Sequence, residues 1–441
     1  MTPVWSLLLL LLIGGMAIGH DVTARQRSAR PRPRLQSVSQ PPCPGDDVTD
    51  VFIVINSVGL VDDSGAAIWR RLELVWHTAQ VQPDDQVLLY DSCTPDPASD
   101  PVVTVTAADH SDHFFVTDVT LPTFNFSGTP AVSTCLGFCT EYRRDGAVIA
   151  SSCLFTRPDW MSQMAADIQD FHLHEVMLPG THDAASYTNY RGESSDDDLL
   201  QRYASAQEET LLSQFYLGAR YFDVRVLFAP ATAERFWVSH GLVPFRPFHI
   251  AIDDLVAMME ASTEIVIYEI GGFEGSFDSH PEAYEELLSL VVPRLERWLA
   301  PRPAEAPHHV LLSDLWAADT RLVLSWDRDP AGRDYLWPRV PNSWNNDDTP
   351  EALYETLRRA MDEAPRDEIW ALAGEMTEHT SDIVFDRLES LRQMADLVNR
   401  NVSRMVRYDW WDKSNIVMAD YFMGTYNVDT ALLVNWQRAH C

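Results

Sequence analysis

Segments with the pattern of β-strands alternate with segments of helical pattern over residues 158–441, and this alternation limits the possible folds more than any other feature. One helical stretch, Ala352–Glu363, has a clear start signal in Thr349 and Pro350. Threonine caps a helix N-terminus well, and proline is suited to the first turn. Strands and helices in alternation predict a parallel sheet covered by helices, here a distorted (β/α)8 barrel of the TIM type, which is an α/β fold.

The strand candidates of this region are short apolar runs, and their number is close to eight: Glu175–Leu178, Tyr221–Phe228, Trp237–Ser239, Glu264–Ile270, Arg321–Trp326, Ile369–Ala373, Met405–Tyr408 and Ile416–Phe422. The helical stretches between and after them are Ala206–Leu217, Ile252–Ala261, Glu282–Leu299, Ala352–Glu363, Ile383–Arg400 and Thr430–Ala439. Some strand candidates are not followed by a clear helix. We therefore expect an irregular barrel.

Residues 43–157 carry short β-type runs that are broken by turn clusters, and no helical pattern separates them. The chain has six cysteines: Cys43, Cys93, Cys135, Cys139, Cys153 and Cys441. Five of these lie in residues 43–157 and the sixth is Cys441, and this even total predicts disulfides formed in an oxidising compartment, although the spacing leaves their pairing open. We predict a small disulfide-stapled β-sandwich over residues 43–157.

The start of the chain has the composition of a secretory protein. Residues 1–19 contain an apolar run, Leu7–Ile13, of signal-peptide length. Residues 20–42 are rich in proline and arginine and lack apolar periodicity, which predicts a disordered leader. Two glycosylation sequons begin at Asn125 and Asn401. Together these features predict a secreted, extracellular glycoprotein.

The chain is strongly acidic, with 65 Asp and Glu against 33 Lys and Arg and a formal net charge of -32. A polyanion would be repelled on approach, so this balance argues against nucleic acid as a partner. The same repulsion acts against long-range attraction to strongly anionic membranes.

Two histidines stand where strand candidates end. His182 and Asp183 lie in the stretch Leu178–Ser186, and His240 lies in Trp237–Gly241. A single histidine of this kind is more often a hydrogen-bonded loop residue than a base. Both histidines, however, follow strands of successive units, and the carboxyl ends of barrel strands converge on one site. Two imidazoles can divide the roles of general base and general acid near neutral pH.

The strand candidate Tyr221–Phe228 alternates in polarity and brings an arginine to the same region. One face is apolar: Phe222, Val224, Val226 and Phe228. The other face, with Tyr221, Asp223 and Arg225, is predicted to point into the barrel. A guanidinium can bind a phosphate bidentately and offset developing charge. With two histidines beside it, the arrangement favours cleavage of a phosphodiester, first by an internal hydroxyl and without a cofactor.

These motifs together resemble the X domain of phosphatidylinositol-specific phospholipases C, particularly the small X-domain-containing proteins of animals and their bacterial relatives. The resemblance rests on Pro179–Asp183, Gly218–Arg225 and Ser239–Gly241, and it extends from Trp160 to the C-terminus. It implies a distorted barrel that cleaves an inositol phospholipid into diacylglycerol and an inositol phosphate, usually through a cyclic phosphate.

The resemblance also implies roles for individual residues. His182 matches the base that accepts the proton of the inositol 2-hydroxyl, with Asp420 as its orienting carboxylate. His240 matches the acid that protonates the leaving oxygen, assisted by Asp183. Arg225 matches the bacterial arginine at the phosphate, which points to the metal-independent type of enzyme.

Two further acids, Asp223 and Glu269, are predicted to bind substrate. Glu269 matches a position that is acidic in the calcium-dependent relatives, so a metal site formed with Asp223 is the alternative. Three other polar residues lie at plausible strand ends and match no motif: Asp327, Arg328 and Glu375.

The sequence therefore favours a secreted, metal-independent phosphoric diester hydrolase of phospholipase C type. Its substrate would be phosphatidylinositol or a glycosylated inositol lipid, reached through peripheral contact with a membrane. The first alternative is a non-catalytic lipid- or glycan-binding protein on the same barrel. The second is a metal-dependent enzyme similar to glycerophosphodiesterases. The headgroup preference and the oligomeric state stay open at this point.

Overall fold

The computed structural model describes residue 43 and residues 48–61, 67–96, 99–187, 202–303, 309–328, 332–365, 367–378 and 390–441. The predicted signal peptide and leader, residues 1–42, lie outside the described residues. Residues 42–441 form one compact unit.

The strands of the described residues are, in chain order, β1 Asp50–Ile55, β2 Leu60–Val61, β3 Ala67–Ile68, β4 Arg71–His77, β5 Gln86–Tyr90, β6 Val103–Thr106, β7 Phe114–Thr120, β8 Cys135–Arg144, β9 Ala147–Phe155, β10 Leu178–Thr181, β11 Tyr221–Phe228, β12 Phe236–His240, β13 Val243–Pro247, β14 Val266–Gly275, β15 Leu322–Trp326, β16 Trp337–Pro338, β17 Ala371–Ala373 and β18 Ile416–Ala419. The α-helices are α1 Trp160–Gln163, α2 Ala165–Ile168, α3 Leu211–Tyr216, α4 Phe248–Ala261, α5 Glu282–Leu295, α6 Leu312–Ala318, α7 Pro350–Glu363, α8 Leu391–Arg404 and α9 Asn427–His440. Short 3-10 turns cover Ala107–Asp109, Phe277–Ser279 and Phe422–Gly424.

The N-terminal region is built from two antiparallel sheets that face each other. One has the strand order β1-β4-β7 and the other β6-β5-β8-β9. Their inner faces share one apolar cluster, to which Leu74 and Trp76 of β4 and Val87 of β5 contribute. The predicted β-sheet region with disulfides is therefore present. The disulfides pair Cys43 with Cys441, Cys93 with Cys135, and Cys139 with Cys153.

Strand β1 is apolar along nearly its whole length because both of its faces are covered. Val51 and Ile53 point into the core between the two sheets. Phe52 and Val54 point the other way, and the ring of Phe52 stacks on Tyr426 of the C-terminal region with centroids 4.3 Å apart. A strand covered on both faces loses the apolar and polar alternation of a half-exposed strand.

Buried ion pairs join the sheets to the barrel region. The carboxylate of Glu73 in β4 is fully buried and accepts hydrogen bonds from Arg400 at 3.0 Å and from Asn56 at 2.7 Å. Arg407 donates to Asp50 at 2.9 Å. Since an unpaired buried carboxylate is costly, these partners make the contact between the two regions specific.

The C-terminal region is an α/β barrel, as predicted. Its parallel strands have the order β16-β15-β14-β11-β10-β18-β17, and the hairpin of β12 and β13 is attached to β11. The chain just after β16 reaches β17, because Ala371 donates its N–H to Pro341 at 2.8 Å and Ser343 donates to Ala371 at 3.1 Å. These bonds connect the two ends of the series. Seven parallel strands lie within the described residues, close to the predicted eight.

Two of the predicted strands are wrong in position or in kind. The strand predicted at Glu175–Leu178 begins only at Leu178, because Glu175 closes a turn by donating its N–H to His172. The run Met405–Tyr408 continues α8 as a π-helical segment, Met405–Asp409. Short apolar runs do not distinguish a strand from a buried helix. Within the described residues, no helix combines the length and the apolar content needed to cross a bilayer.

Candidate active site

The carboxyl ends of three neighbouring strands bring the predicted residues together. β10 pairs in parallel with β11 on one side and β18 on the other. His182 and Asp183 directly follow β10, Arg225 lies in β11, and Asp420 directly follows β18. His240 ends β12, which pairs with β11. Residues separated by more than 200 positions in sequence thus meet at one edge of the barrel.

His182 is held in one orientation by its neighbours. Its Nδ1 donates to Asp420 Oδ1 at 2.7 Å, and both side chains are buried. The side chain of Gln207 donates to the carbonyl oxygens of His182 and Ala419 at 2.9 and 2.8 Å. Asn399 donates to the carbonyl oxygen of Asp420 at 3.0 Å. This hydrogen bonding places the proton on Nδ1 and directs Nε2 towards the cavity.

The Nε2 atom of His182 contacts the guanidinium group of Arg225 at 2.8 Å. A guanidinium only donates, so Nε2 must accept, and the imidazole in this arrangement is neutral. Burial by itself lowers the pKa of His182. The nearby carboxylates of Asp420 and Glu375 have a larger, opposite effect and raise the pKa to about 10. The contact with Arg225 therefore blocks protonation of an imidazole that its acidic surroundings otherwise favour. A ligand that draws Arg225 away would leave Nε2 facing the ligand, where it can accept a proton from it.

Arg225 lies between two carboxylates. Its Nη1 is 3.8 Å from Asp183 Oδ2, and its Nη2 is 3.8 Å from Asp223 Oδ2. Asp183 is fully buried and has a φ of 40°, a left-handed conformation that aspartate adopts more readily than most residues. After this sharp turn, His182 meets Nη2 of the guanidinium and Asp183 lies nearest to Nη1. The acids raise the pKa of Arg225 although burial lowers it, so the group stays charged.

His240 approaches the same cluster from the hairpin. Its Nδ1 donates to the carbonyl oxygen of Ala204 at 2.9 Å and lies 3.5 Å from Asp183 Oδ2. The rings of His182 and His240 are perpendicular, with centroids 6.1 Å apart. With Nδ1 held by a carbonyl oxygen, Nε2 is the ring atom of His240 that can exchange a proton with a ligand.

A polar cavity of about 390 Å³ opens at this edge of the barrel. Its lining includes His182, Asp223, Arg225, Glu375 and Trp344. The volume suits a small polar group such as a cyclic polyol, and carboxylates and a guanidinium can bind its hydroxyl and phosphate groups.

The two predicted substrate-binding acids lie at different depths. Asp223 lines the cavity, whereas Glu269 in β14 lies beneath it and accepts from Ser325 at 2.8 Å and from Val340 at 2.7 Å. Burial, together with the charge of Asp223, raises the pKa of Glu269 to about 7. Gly271 lets the acids pack closely, because a Cβ there would lie 2.5 Å from Asp223 Oδ1. The cation beside Asp223 is Arg225.

Glu375 is the residue that the motifs did not assign. It follows β17 and is buried, and neither carboxylate oxygen has a hydrogen-bond partner among the described residues. Burial raises its pKa to about 7. Its position at a strand end was visible in the sequence, and polar residues there face the site of an α/β barrel, but no motif gave it a role.

The fold and the site define a barrel protein with paired histidines at its strand ends. No protein-family model matches the chain. Similar curated proteins are the PI-PLC X domain-containing protein 1 of Danio rerio, 23% identical over 308 residues (63% of this chain, 95% of the relative), and that of Mus musculus, 23% identical over 268 residues (56% and 76%). The PI-PLC X domain-containing protein 3 of Homo sapiens is 22% identical over 311 residues (63% and 93%). The chain is thus a homologue of PI-PLC X domain-containing proteins, as its motifs predict.

Solved structures similar to the chain include two bacterial enzymes. The phosphatidylinositol-specific phospholipase C of S. aureus has a TM-score of 0.49 and 15% identity, covering 64% of this chain and 97% of that one. The enzyme of Listeria monocytogenes has a TM-score of 0.49 and 16% identity, covering 64% and 98%.

Proposed function

We propose that the protein is a secreted, metal-independent phosphoric diester hydrolase that cleaves an inositol phospholipid or a glycosylated inositol lipid in the manner of a phospholipase C. The observation that carries the proposal is the placement of His182 and His240, with ring centroids 6.1 Å apart, on either side of Asp183 and Arg225. Three disulfides support an extracellular location. In this proposal residues 158–441 carry the reaction and residues 43–157 support the barrel.

The first step is an attack by the substrate's own hydroxyl group. Nε2 of His182 accepts the proton of the inositol 2-hydroxyl, and the oxygen forms a bond to phosphorus. The bond from phosphorus to the glycerol oxygen breaks, and His240 protonates that leaving oxygen. The products are diacylglycerol and a cyclic inositol phosphate. Water then opens the ring with the roles of the two histidines exchanged.

Arg225 has to change partner during this reaction. In the structure its Nη2 donates to His182 Nε2, the atom that must act as base. A bound phosphate offers stronger, charge-assisted acceptors, so the guanidinium moves its hydrogen bonds to the phosphate oxygens. Asp183 and Asp223 keep the guanidinium close by. Substrate binding thereby frees the lone pair of His182.

The absence of a metal from the proposed mechanism rests on charge. A divalent cation at Asp223 would stand next to the Arg225 guanidinium, which is 3.8 Å from the carboxylate. Two cations that share one carboxylate in a partly buried site repel each other strongly. The guanidinium itself supplies the positive charge that the phosphate requires.

Two apolar side chains support contact with a lipid surface. Leu242 follows His240 and Gly241 in the hairpin turn and is 75% exposed, and Trp344 at the cavity is 51% exposed. With a net charge of -32, attraction to anionic lipid is unfavourable, so apolar insertion is the mode of contact that we propose.

A non-catalytic lipid- or glycan-binding protein is the second candidate. The observation in its favour is the 2.8 Å hydrogen bond from Arg225 to Nε2 of His182, since this bond engages the atom that would have to act as the base. Such a protein would bind the lipid in the same cavity without releasing a product.

The test is hydrolysis of phosphatidylinositol in mixed micelles by the purified protein, with and without chelator. We expect chelator-resistant release of inositol phosphate, reduced at least about 100-fold in His182→Ala and in His240→Ala. The control is His249→Ala, which alters an exposed histidine beside Glu234. Activity that survives either active-site substitution would overturn the assignment. Loss on chelation would favour the metal-dependent alternative, and binding without release the non-catalytic one.

A further inference from the structure

Three histidines meet at the opposite end of the barrel from the cavity. His172 and His174 precede β10, and His309 precedes α6. An isolated antiparallel bridge joins His172 to Leu311, with the N–H of Leu173 donating to Val310 at 2.9 Å. Because β10 ends at the active site, the segment before β10 lies at its amino end. This pairing brings residues of two distant chain segments side by side.

The imidazole rings lie at distances that fit a shared cation. The ring centroids of His172 and His174 are 5.5 Å apart, and His309 is 5.5 Å from His172 and 4.8 Å from His174. Three imidazoles bound through nitrogens at about 2.1 Å around a tetrahedral ion place their ring centroids roughly 5 Å apart. Ligand atoms of His172, His174 and Glu175 lie within 4.8 Å of one another. Small side-chain movements are therefore enough to enclose an ion.

The backbone that carries these side chains is fixed. Glu175 Oε2 accepts the backbone N–H of His172 at 2.7 Å and lies 2.9 Å from its Nδ1. Arg438 donates to the carbonyl oxygens of Glu175, Trp411 and Ser414, each at 2.7 Å. A ligand set on fixed backbone needs little ordering when an ion binds.

We propose that His172, His174 and His309, with the carboxylate of Glu175, form a binding site for one transition-metal ion of the Zn²⁺ class. Imidazoles with one carboxylate suit Zn²⁺, whereas Ca²⁺ and Mg²⁺ require mostly oxygen ligands. In the part of the chain that the structure describes, His172, His174 and Glu175 form the group of three ligating side chains with suitable spacing, and the ring of His309 lies beside them.

The site has a structural role, separate from the proposed hydrolysis. It joins the segment that enters β10 to the segment that enters α6, at the amino end of the strands. In barrels of this type, residues at the amino end of the strands usually contribute to stability, whereas those at the carboxyl end carry the chemistry. A metal clamp there holds the strand that carries His182 without touching the cavity.

The test uses the full-length protein without a histidine tag, after treatment with chelator. Titration with Zn²⁺ in a calorimeter should give one ion per chain with a Kd at or below about 10 µM, and Zn²⁺ should raise the Tm. His174→Ala and His309→Ala should each weaken binding at least tenfold and abolish the rise in Tm. The matched control His249→Ala should leave both unchanged.

Cobalt supplies a second readout that does not depend on the variants. Co²⁺ bound to three imidazoles and a carboxylate in a four-coordinate site gives intense visible bands, which a hydrated octahedral ion lacks. We expect these bands in the wild type and their loss in His174→Ala. Absence of the bands, a Kd weaker than about 1 mM, or binding retained in both variants would overturn the proposal. Hydrolysis in chelator, measured on His174→Ala, should stay at the wild-type rate, so the two proposals fail separately.

Discussion

Glu375 makes the stability of this protein depend on pH in a way that a single substitution can remove. Its carboxyl group is 4% exposed and has no hydrogen-bond partner among the described residues. Burial raises its pKa from 4.5 to about 7. A carboxyl group whose pKa is higher in the folded protein binds more protons when folded. Its contribution is therefore fully present below the unfolded pKa and is lost as the pH rises through about 7.

The size of the effect follows from the shift. Moving the pKa from 4.5 to about 7 costs the folded state about 3 kcal/mol once the carboxyl group is ionised. The cost is about 1 kcal/mol at pH 5 and about 3 kcal/mol at pH 8. Glu375→Gln removes the titration and keeps the shape of the protonated group. Relative to wild type, the variant should therefore gain about 2 kcal/mol between pH 5 and pH 8.

Urea denaturation at both pH values, followed by tryptophan fluorescence with the disulfides intact, measures this difference. Any constant cost of burying the amide is present at both pH values and cancels. Glu363→Gln is the control, since Glu363 is exposed at the end of α7. If the free energies of unfolding of wild type and Glu375→Gln change in parallel with pH, Glu375 is not a buried, unpartnered acid and the reasoning fails.

Two further substitutions test the site and the contact between the two regions. Asp420→Asn removes the carboxylate that holds the proton on Nδ1 of His182, so hydrolysis should fall by about 100-fold or more while the Tm changes little; an unchanged rate would exclude this positioning role. Arg400→Ala leaves the buried carboxylate of Glu73 with Asn56 but without its cation, and urea denaturation should show a loss of about 3 kcal/mol. The double variant Arg400→Ala with Glu73→Gln should recover most of that loss, and no recovery would contradict the ion-pair argument.

Local patterns in the sequence were sufficient for several elements of the fold. β11 runs from Tyr221 to Phe228 as its alternation predicts, and its polar face delivers Asp223 and Arg225 to the cavity. α7 begins at Pro350, with Thr349 accepting the N–H of Ala352 at 3.4 Å. Alternation and capping depend on neighbouring residues only, so the sequence contains all the information that they need.

The grouping of His182, Arg225 and Asp420 could also be predicted, because the carboxyl ends of parallel strands converge whatever their exact packing. His240 reaches the same place from β12, which is not a parallel strand of the barrel but half of an antiparallel hairpin on β11. The structure of the run Met405–Tyr408 could not be predicted, since its apolar residues suit a strand as well as the helical segment that they form. The outcome depended on α8, which the chain continues without a break.

Contacts across the sequence were decided by tertiary structure alone. The spacing of six cysteines allows several pairings, and only the fold brings Cys43 to Cys441. The contact of Arg225 with His182 and the unpartnered burial of Glu375 depend on the shape of the barrel at its carboxyl end. The meeting of His172 with His309 at the other end depends on one antiparallel bridge. A sequence pattern indicates which side chains a segment presents. Only packing determines which distant side chains, and how much water, surround each of those side chains. These surroundings set the pKa values and the ligands of each site.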